Sequence, residues 1–258
     1  MKKLTIIFSL VSLSVFAQDS IPTINQSNIL LEVETIIGLD NFGTTYYETN
    51  NIFYKKTADK TINYSNVQLG KITSIDVFNP LKLITFFKDF NTVIILDNRL
   101  AEILRIDFNT VQPYKNVSFV SLGNDNTIWI FNQDNQQLEL YDYKAKSVRA
   151  TTMPVVSNVL SLTSNYNYAW LLTENYIYKY SYFGSLIFKI KNKGYTKILE
   201  RNDDIILQKK NSLYFLNDKT QEISPIALPN LLINQFLVTG ETLYIYDSKI
   251  LHEFQLKK

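Results

Sequence analysis

The 258-residue chain has no cysteine, one histidine and only seven glycines. Without cysteine there is no disulfide framework and no thiolate for metal binding or nucleophilic catalysis, so the fold must rest on its apolar core. It also leaves no cysteine that could carry a lipid anchor. A lone His252 excludes zinc and copper sites built from several imidazole or thiolate ligands. No Gly-x-Ser-x-Gly elbow accompanies it, and it reads as a structural residue. No loop has the spaced acids and terminal Glu of a calcium site; Asn124-Asp125-Asn126, Asp134-Asn135 and Asp203-Asp204 read as turns. The inventory predicts no catalytic residue, no metal and no cofactor.

Long apolar runs are also scarce. The longest opens the chain: Lys2 and Lys3, an apolar stretch over 4–14, then Val15-Phe16-Ala17 before Gln18. That is the pattern of a secretory signal peptide, too short to span a bilayer and with no stop-transfer segment behind it. Residues 1–17 are therefore expected to be removed on export. Loss of two lysines leaves 24 basic against 24 acidic side chains. A chain of zero net charge without basic runs is a poor partner for nucleic acid or an anionic membrane surface. The polar stretch 18–28 is expected to be a flexible tail. Within it, Asp19-Ser20-Ile21 makes Ser20 an O-glycosylation candidate by resemblance to the Asp-Ser/Thr-apolar pattern of Bacteroidota.

What is abundant is aromatic and strand-like. Tyrosine and phenylalanine number 17 and 16. From residue 29 onward, short β-branched and aromatic runs alternate with Asn, Asp and Gly turns. The segments 117–122, 127–131, 137–143 and 147–152 read as an antiparallel meander. The same four-strand phrase recurs over 159–190 and 195–226, and it begins again over 83–107. Second strands centred near Tyr46, Ile94, Trp129, Trp170, Ile206 and Tyr244 give a period of about 40 residues, that of a β-propeller blade. The last unit has three strands only (235–238, 242–246, 250–255), and a strand over 29–35 precedes the first. Pairing these would close a ring and hide both sheet edges. The reading is an all-β chain with residues 29–258 as a single propeller. Six blades of four antiparallel strands are expected, with seven the alternative because 72–78 leaves room for another strand. A single helical turn is expected within 228–236.

The segments TVIILDNRLAEILRIDF, TIWIFNQDNQQLELYDY and TLYIYD resemble the YVTN/NHL/WD40-like propeller superfamily and are similar to exported flavobacterial propellers, although WD40 Gly-His and Trp-Asp signatures are missing. The Asn- and Lys-rich composition and the Phe-Ala-Gln junction resemble that bacterial group as well. The resemblance implies a rigid platform: a protein-interaction scaffold or accessory subunit of a periplasmic envelope complex, in outer-membrane assembly, lipopolysaccharide export or secretion. A glycan-binding module is the alternative, and a propeller hydrolase or lyase a more distant one.

Tyr176, Tyr178, Tyr180 and Tyr182 occupy every second position, so they share one face of a strand. Because blades pack face to face, the ladder is expected mainly to fill that space. Tyr166, Tyr168, Tyr176, Tyr178 and Tyr182 nevertheless define the candidate interaction patch.

Overall fold

The computed structural model describes residues 20–257. The expected signal peptide lies outside them. Six four-stranded antiparallel sheets are arranged as the blades of a β-propeller. Helix is confined, among the described residues, to two 3-10 turns at Val67–Leu69 and Lys88–Phe90. The stretch 228–236 forms no helical turn.

The innermost strands are Thr35–Leu39, Ser74–Asp76, Val117–Leu122, Val159–Ser164, Lys197–Arg201 and Gln235–Thr239 for blades 1 to 6. Segment 72–78 thus supplies the inner strand of blade 2, and the described residues form no seventh blade. The second strands are the most apolar. All six residues of Thr127–Asn132 are buried, because both faces of a middle strand are covered by neighbouring blades. The core is accordingly split into six clusters, one per blade interface. Along the second strand of blade 3, Ile128 and Ile130 face blade 2, while Trp129 and Phe131 face blade 4. This is the two-residue period of a strand used on both faces.

Ring closure starts earlier than the sequence indicates. The closing strand is Thr23–Leu30, not 29–35, and it pairs antiparallel with Ile250–Leu256 as the outer strand of blade 6. Most of the stretch expected as a flexible tail is therefore part of the propeller. The physical reason is its location. An outermost strand needs few apolar residues, and its backbone satisfies an edge that would otherwise be open. Ser27 Oγ donates to Glu253 Oε2 at 2.7 Å. Ahead of the strand, Ile21 exchanges backbone hydrogen bonds with Pro225 and Ala227 of blade 5.

Candidate functional site: the central channel and its mouth

In an antiparallel blade the loops joining strands 1–2 and 3–4 emerge on one face, and those joining 2–3 and successive blades emerge on the other. We call these the mouth face and the crossover face. The inner strands enclose a channel with a cavity of about 730 Å³ lined by all six blades. That lies within the ~300–1,000 Å³ of ordinary ligand pockets.

At the mouth, carboxylates tie the blades together. Asp76 of blade 2 accepts from Ser121 Oγ and Leu122 N of blade 3, both at 2.9 Å, and from Phe78 N at 2.9 Å. Ser164 of blade 4 lies 2.8 Å from Ser121 Oγ and also reaches the Leu122 carbonyl. At the next seam, Asn165 Nδ2 of blade 4 donates to Glu200 Oε1 at 3.1 Å and Asp203 Oδ1 at 2.8 Å, both of blade 5. Burial is the main reason the Glu200 carboxyl is pushed above its usual range. Arg201 Nε donates to the Gly240 carbonyl at 2.8 Å, joining blades 5 and 6.

Above this polar belt stands an apolar rim. Phe42 is 91% exposed, Leu81 68%, Phe78 42% and Tyr166 40%. Phe78 and Tyr166 meet edge to face at 5.2 Å. They come from blades 2 and 4, so the pair bridges over the blade 3 turn. These residues sit in the tight turns where polar side chains are the rule. An apolar residue inside a turn, as in Asn41-Phe42-Gly43 and Phe78-Asn79-Pro80, was the available signal for Phe42 and Phe78.

The candidate patch named from the sequence is scattered. Tyr178 and Tyr180 stack at 5.8 Å, and Tyr176 lies 5.9 Å from Tyr178. The ladder packs into the interface with blade 3, with Tyr178 and Tyr180 buried and Tyr176 and Tyr182 half-buried. Tyr176 adjoins the crossover face, where Lys189 Nζ lies 3.9 Å from its ring centroid. Tyr182 adjoins the mouth face toward the outer rim and accepts from Arg149 at 3.3 Å. Tyr168 faces the other way, under the buried ammonium of Lys179 at 3.8 Å from its ring centroid. Only Tyr166 reaches the channel mouth.

Ser20 is exposed at the start of the described chain. His252 lies in the closing seam of blade 6, with Nε2 3.0 Å from Asp247 Oδ2 and Nδ1 2.8 Å from Asn28 Oδ1. These partners are a neighbouring turn and the closing strand, which is a structural role. Among the described residues no cluster of three His, Cys, Asp or Glu has metal-site geometry, and no helix is long and apolar enough to cross a membrane.

No protein-family model matches the chain, and no curated protein matches it in sequence. Solved structures do match in shape. Virginiamycin B lyase from Staphylococcus aureus aligns with a TM-score of 0.63 at 13% identity, covering 91% of this chain and 100% of that one. A chain of the mitotic checkpoint complex aligns with a TM-score of 0.60 at 10% identity, covering 100% and 99%. The Pan2 WD40 domain of Neurospora crassa gives 0.60 at 7%, covering 88% and 75%. At such identities the likeness is one of fold, and the fold shared with these lyase and WD40 structures is the β-propeller.

Proposed function

We propose that this chain is an exported, non-catalytic propeller that holds a partner protein on its mouth face, as an accessory subunit of a cell-envelope complex. The observation that carries this reading is the rim of Phe42, Phe78, Leu81 and Tyr166. Large apolar side chains left in water around a rigid ring cost free energy that a partner would recover, and aromatic anchors of this kind dominate interface energetics. The six-blade frame holds the rim in place, so docking requires little ordering. Among the similar structures, one is a chain of a multiprotein checkpoint complex.

The first test is a double variant, Phe42→Ala with Tyr166→Ala, in the native envelope. Since neither side chain belongs to the core, the midpoint of thermal unfolding should move by less than about 2 °C. Co-purification of the partner in mild detergent should fall at least tenfold. Unchanged recovery of the same partner would rule out the mouth face.

A second reading has its own observation. Phe78 and Tyr166 share the mouth with Glu200 and Asp203, and aromatic faces beside carboxylates suit a sugar. Thermal stabilisation by an oligosaccharide, lost in the same double variant, would favour a glycan module over a protein platform.

A further inference from the structure

Two of the first turns carry the same short phrase. In Asp40-Asn41-Phe42 of blade 1 and Asp76-Val77-Phe78 of blade 2, an aspartate stands two residues ahead of a rim phenylalanine. In both, the carboxylate accepts from the backbone N–H of that phenylalanine at 2.9 Å. This local bond fixes the turn, and the same turn then holds an acid and an aromatic side chain left in water. At blades 4 and 5 the pairing recurs by other means: Asn165, next to Tyr166, holds Glu200 and Asp203.

These acids have no cation of their own. Asp40, Asp76 and Glu200 line the channel, and none takes part in an ion pair among the described residues. The donors that reach them there are neutral. Asp40 takes Thr44 N and the Tyr46 hydroxyl besides Phe42 N. Asp76 takes Ser121 Oγ and Leu122 N besides Phe78 N. Glu200 takes Asn165 Nδ2 and Asp203 N, both on Oε1. The cations nearby are committed elsewhere. Lys82 Nζ donates to the Asp125 carbonyl, and Lys179, near Glu200, is held by Asp218. Arg201, which also lines the channel, is buried and donates to the Gly240 carbonyl, with Glu241 and Asp204 close by.

Docking on the rim would cover these carboxylates. An entirely apolar partner surface would desolvate them without a counter-charge, and affinity would suffer. Acids interleaved with exposed aromatic side chains suit a guanidinium, which takes a carboxylate through its fork of N–H donors and stacks on ring faces. We infer that the partner held on the mouth face presents an arginine flanked by apolar side chains, its guanidinium entering the channel among Asp40, Asp76 and Glu200. This rests on mouth-face docking and names the chemistry of the segment that docks.

The first test titrates the full chain with the capped peptide acetyl-Leu-Arg-Leu-amide and with its citrulline counterpart, which keeps the shape and loses the charge. At low ionic strength the arginine peptide should bind about tenfold more tightly. Asp76→Asn combined with Glu200→Gln should erase that difference, while each substitution keeps one oxygen acceptor. Glu174→Gln, which removes a charge from the crossover face, should preserve it. Equal affinity of the two peptides for the unmodified chain, or binding of neither, overturns the inference.

A second test separates the arginine from the docking it rests on. Recovery of the partner from the native envelope should fall about tenfold in Asp76→Asn with Glu200→Gln, as in Phe42→Ala with Tyr166→Ala. In the unmodified chain it should also fall as sodium chloride is added, because salt screens the charge pairing. That reading needs no variant to fold. Loss in the rim variant with full recovery in the charge variant leaves docking intact and overturns the arginine. Full recovery in both overturns docking itself, and this inference with it.

Discussion

Lys115 and Glu139 are both almost wholly buried, 2.6 Å apart, with Asn132 Nδ2 donating to the second carboxylate oxygen at 3.0 Å. They join the loop after blade 2 to the third strand of blade 3. Removing one partner leaves the other charge buried and alone, so Glu139→Ala should cost about 3–5 kcal/mol. Lys115→Met with Glu139→Leu should recover most of that loss in a denaturant titration, because two apolar groups need no counter-charge. Asp247 is the opposite kind of group, near the surface. Its hydrogen bond from His252 and the backbone N–H groups of Ile250 and Lys249 hold its pKa down at about 2. A carboxylate whose pKa is depressed on folding adds stability above the unfolded value. That contribution fades as pH falls from about 4 toward 2. Unfolding of Asp247→Asn and of the parent, followed by circular dichroism, should therefore differ at pH 6 and converge near pH 2.

The closing strand Thr23–Leu30 covers the last open edge of the ring through its pairing with Ile250–Leu256. Removing residues 20–30 should leave a folded but less cooperative disc. It would bare an edge strand and aggregate, seen as a lower unfolding midpoint and higher-order species in light scattering. Of all the elements this one was least legible in the sequence. Thr23, Asn25, Ser27 and Asn28 carry no apolar alternation because they lie on the outermost strand, which needs little. The second strands were the most legible: Thr127–Asn132 and Tyr168–Thr173 are continuous apolar runs between turns, since both faces are covered by blades. The tyrosine stretch was legible in part. Tyr178 and Tyr180 fill a blade interface, as period-two spacing implied. That Lys179 between them is buried, pointing to the opposite interface and paired with Asp218, depended on a loop 39 residues away. Trp170, buried in that same interface, should cost about 3–5 kcal/mol on replacement by Ala.

At the scale of the whole molecule, function rests on what the ring brings together. Phe42, Phe78 and Tyr166 are more than thirty residues apart along the chain, and no local pattern places them around one opening. They converge because each lies in the first turn of its own blade. The most direct test of the docking claim is site-specific photocrosslinking in the native envelope. A benzoylphenylalanine would replace Phe42, Tyr166 or, as an outer-strand control, Ile187. Docking on the mouth face predicts one discrete adduct of the same partner from positions 42 and 166 and none from 187. Adducts from 187 alone, or from none of the three, would contradict it.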